Sequence, residues 1–414
     1  MNKNYYLCES FYCELLMPIR WNLYIVVLIL LLPALQAGAI ERTDSGMRDA
    51  SSFLALEVRP AYAFSSYKDD VLKENLIMTG AKKTRVATSA HLKYGFSFPE
   101  NSSYGRICPQ AWQGIGAAVN FLGNDKGIGT PVSVYVFQGA PIWTFNDRLS
   151  AYYEWNFGAS FGWKPCDGET AYTNLIVGSR VNAYINLGIG LQWRVGKQYA
   201  LSAGLDLTHF SNGNTSYPNP GVNMAGVKIG VSRYFGRSPR PERSVPDTVQ
   251  FRRGLGFDVT AYVAYRKRVY RGDDDPVLLN GRFGVAGLNL APMWRISRNF
   301  RTGPSLDLQW DESTDLRRHH VSGTTAETIL FTRPSFFSQV STGISGRAEL
   351  VMPLFSVNVG FGYNVIGPEE TRTTYQLANL KVNLVKGLYL NIGYQLQDFQ
   401  KQSNLMLGLG YSFN

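Results

Sequence analysis

Asn182-Ala-Tyr-Ile-Asn-Leu-Gly-Ile-Gly-Leu-Gln-Trp-Arg-Val195 is the stretch on which the fold of this chain turns. Its odd positions, Ala183, Ile185, Leu187, Ile189, Leu191, Trp193 and Val195, are all apolar. Its even positions, Asn182, Tyr184, Asn186, Gly188, Gly190, Gln192 and Arg194, are polar or glycine. Successive side chains of a strand point to opposite faces, so this alternation marks a strand with one apolar face. In a soluble sandwich that face would point inward. In a membrane barrel it points outward to lipid, and the polar face lines the lumen.

Working outward, about sixteen similar segments follow one another. They lie near 53–65, 87–98, 113–122, 131–143, 148–163, 181–195, 199–210 and 223–235, then near 255–267, 282–297, 299–311, 336–351, 354–364, 374–385, 387–399 and 403–413. Many are about ten residues long, the length a tilted strand needs to cross the hydrocarbon. Short connections such as Phe145-Asn146-Asp147 and Gly196-Lys197-Gln198 alternate with long ones at 66–86, 164–180, 211–222, 268–281, 312–335 and 365–373. Short periplasmic turns and longer outer loops are the pattern of outer-membrane barrels. Residues 99–112 break it, being long where a short turn is expected.

The composition agrees. Charged residues are 17% of the chain, below the roughly 25% usual in soluble proteins, while aromatics are 13% and glycines number 41. The expected fold is therefore an all-β, antiparallel transmembrane β-barrel. Residues 236–254 (GRSPRPERSVPDTVQFRRG) are rich in Pro and Arg and do not alternate, which reads as a linker at 237–254. It separates a barrel region at 40–236 from a second at 255–414. Eight strands in each half fit either two eight-stranded units or one sixteen-stranded ring, and the length of the linker favours two. The terminal strand closes on Gly410-Tyr-Ser-Phe-Asn414, an aromatic end of the kind read by outer-membrane assembly machinery.

One continuous apolar run, Leu23–Leu32, lies near the N-terminus, preceded by Arg20 and followed by Ala37-Gly38-Ala39. It is too short to span a bilayer and reads as a signal peptide over 1–39, with a natural start near Met17. Cleavage would remove Cys8 and Cys13. Cys108 and Cys166 then remain as a candidate disulfide in an oxidising compartment, although the strand count puts their loops at opposite barrel ends. The net charge of +10 is not gathered in one block, so nucleic acid is not an expected partner. Loop cations such as Lys82, Lys83 and Arg85, or Arg266, Lys267 and Arg268, are either solvated or face phosphorylated lipid.

Only four histidines occur, and one of them stands in an unusual setting: His209-Phe210-Ser211-Asn212-Gly213-Asn214, then Pro218-Asn219-Pro220-Gly221-Val222-Asn223. The apolar row Leu201, Ala203, Leu205, Leu207 continues into His209 and Ser211. The row Val231, Ile229, Val227, Ala225 continues back into Asn223. With the N-terminus periplasmic, all three polar residues sit on the lipid face at outer-leaflet height, where polar groups are costly unless used. Imidazole beside a serine hydroxyl is the pairing an activated nucleophile needs, with a third group to orient the ring.

This stretch resembles the lipid A deacylases of the PagL type, related to acyloxyacyl hydrolases, which are eight-stranded outer-membrane esterases that remove a 3-O-linked acyl chain from lipopolysaccharide. The likeness is close over the seventh and eighth strands and looser within about 50–236. It implies His209 as general base, Ser211 as nucleophile and Asn212 with Gly213 at the oxyanion. The family's glycine falls near Gly213 or Asn214, one position off register. Twelve residues after the serine that family has Glu, whereas this chain has Asn223, which can orient the ring but cannot supply charge. The implied partners are lipid A and outer-membrane lipid, with no metal or cofactor.

The ends of the two halves can also be superposed, Leu201–Phe210 on Leu390–Phe399, with Asp398 where His209 stands. His319-His320 and Arg271-Gly272-Asp273 fall in expected loops and read as solvated. A non-catalytic channel or structural barrel is the main alternative, and a surface adhesin working through loops 268–281 and 312–335 is a third.

Overall fold

The computed structural model describes residues 51–64, 86–98, 105, 108, 110–123, 125, 127–165, 176–217, 219, 221–235, 253–270, 277–279, 281–322, 327–352, 354–399 and 401–413. The expected signal peptide, most of the linker, Lys82, Lys83, Arg85, Cys166 and Arg271–Asp273 fall outside the described residues.

The chain forms two compact units, each a closed antiparallel barrel of eight strands. The first contains β1 (Ser51–Phe64), β2 (Val86–Ser97), β3 (Trp112–Phe121), β4 (Gly129–Thr144), β5 (Leu149–Trp163), β6 (Val181–Val195), β7 (Tyr199–Ser211) and β8 (Val222–Phe235), with β8 closing on β1. The second is built from β9 (Gly254–Arg266), β12 (Phe283–Ser297), β13 (Phe300–Asp311), β16 (Val340–Val351), β17 (Phe355–Ile366), β18 (Thr374–Val385), β19 (Leu388–Gln397) and β20 (Lys401–Phe413), with β20 closing on β9. All sixteen expected strands are present. The choice between one ring and two resolves to two.

The differences lie in the outer loops. Two short hairpins, β10 (Val269–Tyr270) with β11 (Val277–Leu278) and β14 (Arg317–Ser322) with β15 (Glu327–Thr332), occupy segments read as loops. His319 and His320 therefore lie in a strand, opposite Leu330 and Ile329. A 3-10 turn over Phe336–Gln339 delays the start of β16. The expected strand 387–399 stops at Gln397, because Asp398 and Phe399 adopt φ of 51° and 58° and turn the chain at once.

The alternation holds throughout both walls. Along β6 the odd residues are outward and the even ones largely lumenal, as in the opening stretch. Outward aromatics gather toward the strand ends: Tyr62, Phe64 and Phe121 at one rim of the first barrel, and Trp143, Trp193, Tyr199 and Phe235 at the other. Such belts sit at the two membrane interfaces.

Each lumen is filled by side chains rather than open. In the first barrel Lys93 Nζ donates to Glu57 (2.9 Å) and Glu154 (2.6 Å), and Arg59 donates to Glu57 (2.6 Å) and Asp206 (3.2 Å). Asn186 ties Asp206 (2.7 Å) to Thr208 (2.8 Å). In the second, Lys381 bridges Asp258 (2.8 Å) and Glu349 (2.5 Å), Arg301 joins Asp258 (2.7 Å), and Arg347 and Tyr375 both reach Asp307 (2.6 Å each). Buried charges persist only when paired and hydrogen-bonded, and these networks do that across several strands.

Two of the cations at 266–268 are paired within their own barrel. Arg266 pairs with Asp311, and Arg268 with Glu370 at 2.5 Å. Neither is a free surface cation. Between β12 and β13 the register is constant from Val285 to Arg295, but the ladder lapses between Leu290↔Leu306 and Trp294↔Thr302, where Pro292 stands opposite Pro304. Neither proline has an N–H to donate.

Candidate active site

Period-two alternation brings the site residues together. His209 in β7 lies directly opposite Asn223 in β8, and Ser211 lies opposite Ala183 in β6. His209 and Asn223 continue the outward rows and are half-buried, while Ser211 at the end of β7 is buried. The dyad is closed: His209 Nδ1 donates to Asn223 Oδ1 at 2.7 Å. An amide oxygen at that distance fixes the proton on Nδ1 and leaves the Nε2 lone pair as the basic site. Among the described residues no hydrogen bond joins Ser211 to His209. Catalytic contacts commonly tighten only when substrate is present.

The loop after Ser211 is built to return the chain over this dyad. Gly213 and Asn214 have φ of 62° and 65°, consecutive left-handed residues that reverse the chain. Asn212 braces the turn. Its backbone N–H donates to Asn219 Oδ1 (3.0 Å), and its side-chain Nδ2 donates to the Ser216 carbonyl (3.1 Å). Gly221 has φ of 74°, and a Cβ placed there would stand 2.9 Å from the Phe210 carbonyl, 3.1 Å from His209 Cε1 and 3.7 Å from Ser211 Cβ. Only a residue without a side chain lets the returning backbone lie against the imidazole edge.

On the opposite face Phe210 is buried in the lumen, packed against Trp163 (5.1 Å between centroids) and Tyr184 (5.4 Å). This pins the upper end of β7 from inside while His209 and Ser211 face out. Two contributors, the Asn219 brace and the close approach at Gly221, are not apparent from spacing alone. Their signal is the Pro-Asn-Pro-Gly sequence, which restricts the backbone before β8.

The remaining candidates lie elsewhere. Cys108 is buried with Ala111 and Ala140, and that burial pushes its thiol up to about 11. Its pairing with Cys166 lies outside the described residues. In the second barrel, Asp398 stands where superposition puts the counterpart of His209. It is held by the Thr373 hydroxyl and by Thr374 (3.1 Å), with no serine two residues on. A recess of about 440 Å³ among Arg268, Leu279, Asp315, Leu316, Pro368, Glu369 and Glu370 is lined by no serine, cysteine or histidine. Among the described residues no cluster of His, Cys, Asp or Glu could hold a metal ion.

Residues 88–232 match the family described as lipid A 3-O-deacylase (PagL), and residues 255–414 match the acyloxyacyl hydrolase C-terminal domain. Among solved structures, Neisserial surface protein A (NspA) is 11% identical, covering 45% of this chain and 100% of that one, with a TM-score of 0.30. The outer membrane enzyme PagL is 14% identical, covering 42% of this chain and 97% of that one, with a TM-score of 0.27. No curated protein matches. The two family matches span β2 to β8 and the whole second barrel, and on them the chain belongs to the PagL-type lipid A 3-O-deacylase and acyloxyacyl hydrolase family of outer-membrane β-barrel proteins.

Proposed function

We propose that the chain is an outer-membrane serine esterase that removes an ester-linked acyl chain from lipopolysaccharide lipid A. Ser211 Oγ attacks the ester carbonyl carbon as His209 Nε2 takes its proton. The oxyanion of the tetrahedral intermediate is held by Asn212 and the Gly213 backbone N–H. The intermediate collapses, His209 returns the proton to the leaving sugar oxygen, and the acyl group stays on Ser211. Water, activated by the same imidazole, then releases the fatty acid. Asn223 is a positioning residue that orients the ring in the first barrel.

The observation that carries this reading is the 2.7 Å bond from His209 Nδ1 to Asn223 Oδ1 on the lipid-facing row that also ends in Ser211. A dyad on that face meets a lipid lying alongside the wall, not a solute passing through it. Mass spectrometry of lipid A from cells with and without the chain tests it. The expected result is loss of one acyl chain with the natural sequence and none with Ser211→Ala. Identical lipid A in all three strains removes the proposal.

A further inference from the structure

The bend that leads into β6 presents a cation beside the site. Ser211 lies opposite Ala183. Arg180 stands three residues beyond Ala183 on the outer side, about 10 Å further along an extended chain. It is exposed and makes no ion pair or hydrogen bond with any described residue. Among the described residues at the outer end of the first barrel, the charged side chains are Asp125, Lys164 and Arg180. Lys164 follows β5, the neighbouring strand, where Phe161 pairs with Val181. Asp125 lies farther round the ring, between β3 and β4, so the rim next to Ser211 is positive.

The backbone under this cation is braced. Ser179 Oγ donates to the Val181 carbonyl (2.8 Å) and accepts from the Val181 N–H (3.3 Å), and Asn182 Nδ2 donates to the Ser179 carbonyl (3.1 Å). Just before the bend, Val177 is buried in the same lumenal cluster as Trp163, Tyr184 and Phe210. Phe210 stands between His209 and Ser211, so one buried cluster anchors both the dyad and the chain that carries Arg180. The guanidinium makes no polar contact that the fold uses, yet its backbone is tied to the strand end that holds the nucleophile. An ester at the end of β7 sends its acyl chain down along the wall and leaves its headgroup above, at the level of this bend.

We infer that Arg180 binds a phosphate group on the lipid whose ester lies at Ser211, and so selects phosphorylated lipid as the substrate. The inference rests on the esterase reading above and extends it from the reacting atoms to the headgroup beside them. A guanidinium presents parallel N–H donors that match two phosphate oxygens, and such a charge-assisted pair fixes direction as well as charge. The neutral amide of Asn223 suits the same ligand, since no carboxylate in the dyad repels a phosphate held nearby.

The test uses the full-length chain in detergent micelles with phosphorylated lipid A and with the same lipid A after phosphatase treatment. Release of the acyl chain is followed by mass spectrometry, and the readout is the ratio of kcat/KM for phosphorylated over dephosphorylated lipid. Arg180→Ala is expected to lower that ratio about tenfold, the worth of one charge-assisted contact. Arg180→Glu should lower it further, and Arg180→Lys less, because lysine keeps the charge without the fork. Arg148→Ala, in the turn after β4 at the opposite rim, is expected to keep the natural ratio. Heat-modifiable migration identifies folded variants, and Arg180→Gln carries the comparison if the alanine variant does not fold. An unchanged ratio in the Arg180 variants, or an equal fall in Arg148→Ala, overturns the phosphate contact while leaving the esterase standing. Release from neither lipid above the Ser211→Ala level overturns the esterase reading and the contact with it.

Discussion

At the scale of single residues, Asn223 is the sharpest question. A neutral amide orients His209 without placing a charge at the lipid boundary, where an unpaired carboxylate would be costly. It also withholds stabilisation from the imidazolium, and in one serine protease the change from Asp to Asn at the orienting position costs about 10⁴ in rate. Replacing Asn223 by Glu is therefore expected to raise kcat on an ester substrate by about tenfold or more, measured beside Ser211→Ala as the inactive reference. Cys108 gives a second expectation. A thiol raised to about 11 is almost wholly protonated at neutral pH, so maleimide should label it only after unfolding. A requirement for reductant even after unfolding would instead reveal its bond to Cys166. His209, Ser211 and Asn223 were legible in the sequence because period two places them on one face. Asn219 and Gly221 were not, since their roles arise from how a loop folds back, which alternation does not encode.

At the scale of elements, the sixteen wall strands could be read because lipid on one side and a packed lumen on the other impose alternation on each. The hairpins β10–β11 and β14–β15 have neither constraint, and nothing in their periodicity separates them from loop. The 212–221 loop is the element on which the site depends most. Gly221→Ala forces a side chain into a left-handed position against His209 and should cost at least about tenfold in activity with the barrel still heat-modifiable, at a strain of about 1–2 kcal/mol. In the second barrel, partial burial pushes the Glu370 carboxyl up, but the Arg268 guanidinium and the Asp315 N–H outweigh it and hold it below its ordinary value. A lowered carboxyl pKa stabilises the fold above its unfolded value, and that contribution is lost as pH falls through the folded value. The 367–373 loop should thus resist protease at pH 7 and yield below pH 4, a difference that Glu370→Gln removes.

At the scale of the whole molecule, strand periodicity is the same in one ring of sixteen as in two of eight. What distinguishes them is the partner of β8, which is β1 and not β9. Only the linker hinted at that choice. Two filled lumens predict that reconstitution in planar bilayers yields no porin-like conductance steps, whereas clear steps would restore the channel alternative.

The facing prolines of β12 and β13 bear on how the second barrel comes apart. In hydrocarbon, a missing backbone hydrogen bond has no water to replace it. Like a zip with two missing teeth, the wall is weakest at Pro292 and Pro304, midway along the seam. Opening by heat or denaturant should begin there, and the amides of Ala291, Met293 and Ser305 should exchange hydrogen for deuterium sooner than those at the same depth in β18 and β19. The order in which the ring unzips is thereby written into two residues that make no contact with the chemistry.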